Sequence, residues 1–284
     1  MKILVTGYTG QLGYDVVHYG KQWGLNMIGI SSSDLDLTNE DTVFIYINKI
    51  KPDAIIHCAA YTAVDRAEDE KSTCWKVNVE GTKYLAKAAK SIHAKFMYIS
   101  TDYVFDGKGE IPFKETDKPN PVGYYGKTKY EGEELVKRLL ENWFIVRISW
   151  VFGINGNNFV KTMLRLANTR DELNVVSDQF GSPTYTFDLA KLLINMIQSE
   201  KYGIYHASNE GFCNWAEFAK EIFKHANKDI KVNSIATEDY PTAAVRPKNS
   251  RMSKQKLVEN GFSTLPTWQD AVGRYLKELK LEVK

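Results

Sequence analysis

Short apolar runs rich in β-branched residues recur along the first half of the chain, and stretches with helical spacing separate them. Lys2-Ile3-Leu4-Val5-Thr6 is the first run, Met27-Ile28-Gly29-Ile30 the second and Asp53-Ala54-Ile55-Ile56-His57-Cys58 the third. Phe96 to Ile99 and Phe144 to Ile148 follow. Runs of this length and composition predict buried strands. Between them, Val16, Val17 and Tyr19 share one helical face, a second helix begins near Thr38 with Thr38-x-x-Asp41 as its cap, and Trp75 to Ala89 continues the pattern. A further helix opens at Tyr125. Strand and helix in alternation predict an α/β, Rossmann-like doubly wound parallel sheet with right-handed crossovers. Ligands of such sheets bind outside the carboxyl ends of the strands.

The regularity loosens after Trp150. Loops rich in Gly, Asn and Pro cover 153–158, 178–184 and 240–250, with helical stretches at Phe187 to Ile197 and after Asn214, where Glu217 completes a cap. Residues 1–150 are therefore expected to form a dinucleotide-binding domain. Residues 151–284 are expected to form mainly a smaller α/β substrate lobe, parts of which return to the first domain. No repeat, low-complexity tract or flexible linker interrupts the chain.

The turn after the first strand sharpens this picture. Gly7, Gly10 and Gly13 stand in the run Gly7-Tyr8-Thr9-Gly10-Gln11-Leu12-Gly13, between a strand and a helix. Glycines there permit a tight turn and let backbone approach a pyrophosphate, while the helix N-terminus offers free N–H groups. Thr9, Gln11 and Leu12 belong to the same cofactor-facing turn. An acid usually ends the second strand of NAD-specific sites, where it holds the ribose 2′-OH. Here Ser31-Ser32-Ser33 stand there, with Asp34, Asp36 and Leu37 beyond, and no Arg. The expectation is NADPH used at least as well as NADH. Asp36 serves the turn, the adenine side or both. Ala59-Ala60-Tyr61, after the third strand, leave room for the cofactor.

Two further runs carry candidate chemistry. Ser100-Thr101-Asp102-Tyr103 closes the fourth strand, and Tyr125-Gly126-Lys127-Thr128-Lys129 opens a helix. Tyr125 and Lys129 share a helical face, so an ammonium stands beside a phenol and favours its anion. Such a phenol can exchange a proton with a substrate oxygen, and the Thr101 hydroxyl can bond the same oxygen.

Charge and cysteines exclude other classes. Thirty-seven Lys and Arg against 35 Asp and Glu leave a formal charge of +2, without the basic stripe of a nucleic-acid binder. Three scattered cysteines give neither a disulfide framework nor a zinc pattern. With a strand expected from residue 2 and no long apolar stretch, the chain is expected to be cytoplasmic, with no membrane partner.

The glycine turn, the Ser-Thr-Asp-Tyr-Val-Phe-Asp-Gly run at 100–107 and Tyr125-x-x-x-Lys129 resemble the extended short-chain dehydrogenases/reductases. Ala59 to Asp65, Gly156 to Phe159, Thr162 to Arg165, Asp178 to Thr184 and Arg246 to Ser250 resemble, within them, the dTDP-4-dehydrorhamnose reductases. That resemblance implies NADPH-dependent reduction of the C4 ketone of dTDP-4-dehydro-L-rhamnose. Tyr125 would protonate the oxygen, Lys129 would hold the nicotinamide ribose and depress the Tyr125 pKa, and Thr101 would bond the C4 oxygen. Val64, Asp65, Asp102, Tyr103, Trp150 and Asn158 would shape the sugar pocket. Arg246, and less directly Arg251, would take the diphosphate; each arginine suits a surface salt bridge equally well, and Trp150 a core position. Some members bind Mg²⁺ through glutamates at a dimer contact. Asp15 is the counterpart of the first, Phe187 replaces the second, and the third lies past the last residue, so no Mg²⁺ requirement is expected. A nucleotide-sugar substrate and a monomer or homodimer follow from the resemblance. Two other readings remain beside it. A non-catalytic subunit like the regulatory subunit of methionine adenosyltransferase is disfavoured by the intact Thr101, Tyr125 and Lys129. Epimerases and dehydratases are related, but dehydratases place an acid pair beside the Thr, where this chain has Asp102-Tyr103.

Overall fold

The computed structural model describes residues 1–282. Five strands arise from the apolar runs: β1 (Lys2–Thr6), β2 (Asn26–Ile30), β3 (Ala54–His57), β4 (Lys95–Thr101) and β5 (Trp143–Ile148). A sixth strand, Gly203–His206, completes the sheet in the order Gly203–His206, β5, β4, β3, β1, β2, and every pairing is parallel. The strand order reverses between β1 and β3, which opens a crevice at their carboxyl ends. Gly7 and Ala59 stand at that point.

Alternate residues of one strand serve opposite faces. Ile3 and Val5 pack with α1 (Gln11–Gln22) and the helix Thr186–Ile197. Leu4, Ile55 and Phe96 face α2 (Glu40–Ile50), α4 (Gly81–Ser91) and α5 (Tyr124–Leu139). A separate aromatic core, including Phe152, Tyr185, Phe218 and Tyr275, lies in the second half of the chain. Among the described residues no helix is long and apolar enough to cross a membrane.

Two local expectations are corrected. The second helix is capped by Asn39, whose side chain accepts from the Thr42 N–H, one residue beyond Thr38. Thr38 instead donates its N–H and hydroxyl to Asp36. The single helix expected over Trp75 to Ala89 is three pieces: α3 (Lys71–Trp75), a π-helical turn at Lys76–Glu80, and α4. The wide turn sets Asn78 against Tyr61, whose N–H it accepts at 2.8 Å and whose carbonyl it meets at 3.2 Å. Its amide also donates to Thr128 Oγ1 at 3.0 Å. A buried amide whose partners lie outside its own helix is a sufficient cause for the π turn.

Candidate active site

A cavity of about 560 Å³ runs along the carboxyl ends of β1, β3 and β4 and ends at Trp150. Its glycine end is sterically determined. Gly7 has φ +71°, and a Cβ there would stand 2.7 Å from Ala59 N. A Cβ on Gly13 would fall 2.3 Å from Gly7 O. Only glycine permits this turn and this approach of helix to strand. Gly10 occupies the N-cap of α1 and contributes no side-chain cap, so its first N–H groups face the cavity uncommitted to a capping side chain. Asn155 braces the turn from the far half of the chain, donating to Thr9 O at 2.7 Å. This cradle fits a dinucleotide pyrophosphate.

At the end of β2, Ser31 N and Oγ donate to Asp34 Oδ2 at 2.8 and 2.7 Å, and the Ser31 and Ser33 hydroxyls meet at 2.7 Å. Asp36 faces the cavity, but its Oδ1 accepts from the Thr38 N–H and hydroxyl, and those bonds hold its carboxyl below the usual range. Both acids are thus occupied locally.

The reacting end gathers Thr101, Asp102, Tyr103, Tyr125 and Lys129 on one wall. Asp102 is buried; Oδ1 accepts from Thr101 Oγ1 at 3.0 Å, whereas Oδ2 has no partner. Burial pushes its carboxyl up to about 6, against hydrogen bonding from Ser250 and Thr101. The expected depression of the Tyr125 pKa is not the outcome. Burial pushes the phenol up, the Asp102 charge adds to it, and a hydrogen bond with Thr101 works against both. Helical spacing puts Lys129 on the same face as Tyr125, but burial, which spacing does not disclose, is the largest cause of the Tyr125 shift. Tyr125 therefore stays a protonated donor through neutral pH. Lys129 is buried too, and burial lowers its ammonium to about 7.

Trp150 closes the cavity from a left-handed backbone, φ +47°, unusual for a non-glycine residue. Its indole stacks on Trp215, with centroids 3.7 Å apart at 17°. Gly181 admits the ring, because a Cβ there would lie 2.8 Å from Trp150 Cε2. Strain held by two such supports marks a side chain whose direction matters.

Of the site residues named from sequence, Tyr61, Asp65, Asn158, Arg246 and Arg251 do not line this cavity. Tyr61 donates its hydroxyl to Glu70 at 2.7 Å. Asn158 caps the helix Phe159–Leu166, and its amide donates to Gln11 Oε1 at 3.1 Å, so it joins the two halves of the chain. Arg246 pairs with Asp65 at 2.6 Å and donates to the Tyr103 hydroxyl at 3.3 Å. It borders a neighbouring cavity of about 970 Å³ that Arg251, Lys248 and Tyr240 also line.

Other contributors were not singled out from sequence. Trp215 and Asn155 are two. Glu133 is a third: it stands four residues past Lys129 on the same face, a spacing visible in the sequence. His57 is a fourth. Ala59 N donates to Thr6 Oγ1, so the Thr6 proton goes to His57 Nδ1 at 2.7 Å. Thr82 donates to Asn78 O and therefore accepts from His57 Nε2 at 3.1 Å. The ring is the neutral Nε2–H tautomer, and burial with the Lys129 charge lowers its pKa to about 3.

A stability prediction follows from that ring. The unfolded chain protonates His57 near 6.5 and the folded chain only near 3. The folded state thus binds fewer protons, and stability present above pH 6.5 is lost as pH falls toward 3. The same sign holds for buried His206. Thermal midpoints measured from pH 7 to pH 4 should fall, and His57→Asn should flatten that slope. An equal slope in the variant would show that His57 does not set it.

Among the described residues no group of three or more His, Cys, Asp or Glu gathers as a metal site. Asp15 is buried and accepts the Thr186 hydroxyl, while Phe187 carries the Lys191 ammonium 4.2 Å over its ring. A phenyl ring beneath an ammonium offers Mg²⁺ no oxygen ligand at that position.

Comparison with known proteins agrees over nearly the whole chain. Residues 1–281 match the family model described as the RmlD substrate binding domain. A dTDP-4-dehydrorhamnose reductase of Aggregatibacter actinomycetemcomitans is 45% identical over 285 residues, spanning 95% of this chain and 97% of the relative. The structure of a Clostridium acetobutylicum dTDP-4-dehydrorhamnose reductase superposes with a TM-score of 0.96 at 43% identity, covering 99% of this chain and 100% of that one. A Bacillus anthracis dTDP-4-dehydrorhamnose reductase, solved in complex with NADP, gives 0.95 at 43% identity over 98% and 100%.

Proposed function

The chain belongs to the RmlD substrate-binding-domain family, and from that premise we propose that it reduces the C4 ketone of dTDP-4-dehydro-L-rhamnose to dTDP-L-rhamnose, with NADPH as reductant. The observation that carries this reading is the wall of Thr101, Tyr125 and Lys129, joined by one cavity to the glycine cradle. A reduced nicotinamide, when bound, supplies the hydride. Gly7, Thr9, Gly10, Gln11, Leu12 and Gly13 hold the pyrophosphate end, and Ser31, Asp36, Leu37, Ala59 and Ala60 line the rest of its path. The Ser31–Ser33 hydroxyls suit a 2′-phosphate better than a free carboxylate would, and Asp34 is turned to Ser31. The NADP-bound Bacillus anthracis relative supports the same choice.

The chain's own residues handle the proton. As charge grows on the ketone oxygen, Tyr125 gives up its phenolic proton to it. The Lys129 ammonium stabilises the phenolate left behind, which recovers a proton from water. Thr101 has one hydroxyl proton, shared in the structure with Asp102 Oδ1, and it turns to the ketone oxygen. Donors aimed where charge develops lower the barrier without a metal. The unpartnered Asp102 Oδ2 accepts a sugar hydroxyl, beside Val64, Tyr103 and Trp150. Arg246 takes the diphosphate by exchanging its bond to Asp65. Residues 1–150 bind the dinucleotide, joined by Thr186–Ile197 and Gly203–His206, and the rest of 151–284 binds substrate.

Nicotinamide absorbance tests the reading, with dTDP-4-dehydrorhamnose made in situ against other keto-sugar nucleotides, and with NADPH against NADH. Turnover no faster on the rhamnose precursor than on the others would overturn it. Activity should also survive exhaustive EDTA treatment, given Phe187 and Lys191 at the position discussed above. Lost activity that Mg²⁺ alone restores would refute that expectation.

A further inference from the structure

Tyr98 lies on β4, three residues before Thr101, and is fully buried. The Lys129 ammonium sits over its ring, 4.1 Å from the centroid. The Tyr98 hydroxyl donates to the backbone carbonyl of Lys129 itself, at 3.3 Å. Ring and ammonium are therefore tied to the same turn of α5. That turn is shaped to receive the phenol: a Cβ on Gly132 would fall 2.2 Å from Tyr98 Oη. Core packing asks for a large side chain at position 98. It does not ask for a cation centred on the ring face, nor for a glycine where the hydroxyl meets the helix.

The surroundings of Lys129 explain why the ring matters. Its charge is felt by His57 and Cys58 at the end of β3, by Cys74 on α3, and by Glu133 on its own helix. His57 is neutral. Burial pushes the Cys58 thiol up to about 12 and raises Cys74, so neither is a thiolate at neutral pH. Tyr125 is protonated for the reason already given. Glu133 is the remaining anion among these groups, and its oxygens are taken by Arg147 and Ser100. A desolvated ammonium with no carboxylate of its own gains from an aromatic face, whose quadrupole presents negative charge to it.

We propose that Tyr98 is a positioning residue for the reduction: its ring face keeps the Lys129 side chain charged and aimed into the cavity, and Gly132 is the opening that lets the ring reach it. The inference rests on the reading of Lys129 as the cation that serves the nicotinamide ribose and Tyr125. It adds a specific partner that neither the glycine turn nor the Tyr-x-x-x-Lys spacing discloses.

The test varies the ring's charge and keeps its shape. Tyr98→Phe and a series of Tyr98→fluorophenylalanines, installed by codon suppression, would be compared with Tyr98→Leu. NADPH affinity by fluorescence and kcat/KM would be followed from pH 6 to pH 9. Lys129 must be protonated to act, so the wild-type profile should fall on its basic side. Weakening the ring face lowers the pH at which the ammonium is lost. The basic limb should stay in place in Tyr98→Phe and move to lower pH with each added fluorine, by about one unit in the most fluorinated ring. That displacement corresponds to a loss of roughly tenfold in affinity above the limb. Thermal midpoints accompany each variant. A limb that stays fixed across the fluorinated series, or melting temperatures that fall without it, would reduce Tyr98 to packing and overturn the proposal. A wild-type protein that binds no nicotinamide cofactor would overturn this inference and the proposed reduction together, whereas normal turnover with an immobile limb defeats this inference alone.

Discussion

Tyr125→Phe should lower kcat by roughly a thousandfold, within the range that removal of a positioned general acid costs. Cofactor affinity and fold should be kept. The ring packs with Ala67, Cys74 and the edge of Tyr103, and those contacts do not need the hydroxyl. Only the proton aimed at the ketone oxygen is lost. Thr101 still offers one hydrogen bond, so turnover should be low but not zero. Because burial raises the Tyr125 pKa, its ionisation should contribute no limb between pH 6 and pH 9, and any fall on the basic side belongs to Lys129. Single-turnover rates and fluorescence titration with NADPH separate the two effects. A variant within tenfold of the wild-type kcat would remove Tyr125 from the role of acid.

Much of the scaffold behind that prediction is legible without coordinates, because period and punctuation carry it. The strands β1 to β5 are runs whose apolar character exceeds what a surface strand needs. The glycine turn is legible because three glycines between strand and helix have a steric reason to be there. The strand Gly203–His206 is not legible: four residues ending in a histidine look like loop until β5 pairs with them. Nor is the direction of a side chain. Asn158 belongs to a run resembling a substrate contact, yet it caps a helix and reaches Gln11. Arg246 is as consistent with an ion pair as with a diphosphate contact, and the structure pairs it with Asp65. Spacing put Lys129 on the helical face of Tyr125 but said nothing of burial, and burial decides the sign of the Tyr125 shift. Trp150 shows the same limit from the other side. Its stacking on Trp215, its left-handed backbone and the Gly181 that admits it come from three distant segments.

Beneath the catalytic wall lies the pair whose disruption should cost most in stability. Arg147 and Glu133 are 1% and 0% exposed. Nε donates to Oε1 at 2.9 Å, Nη2 to Oε2 at 2.7 Å, and Ser100 Oγ adds a third bond to Oε1. The guanidinium also lies 5.0 Å from the centroid of Phe105. Breaking such a pair from one side leaves an uncompensated charge in a low dielectric, so Arg147→Met should lose about 3–5 kcal/mol of stability. Replacing both charges is milder, since the attraction of a buried pair is largely offset by its desolvation. Glu133→Gln combined with Arg147→Met should therefore recover most of the loss, the Gln carbonyl still accepting from Ser100. The single variant has a second signature. Glu133 already favours the charged form of Lys129, and freed from Arg147 it should do so more strongly. The basic limb of the kcat/KM profile should then move to higher pH, opposite to the effect expected from fluorinating the ring at position 98. Urea unfolding of the two variants and the wild type gives the energies, and the pH profile gives the direction. An Arg147→Met protein within about 1 kcal/mol of wild type would mean that Glu133 takes up a proton or water instead of standing as a bare carboxylate. Its limb would then fail to move to higher pH, and would drop below the wild-type limb if Glu133 is protonated, since a neutral Glu133 no longer favours the Lys129 charge; either outcome would break the link from Arg147 through Glu133 to Lys129.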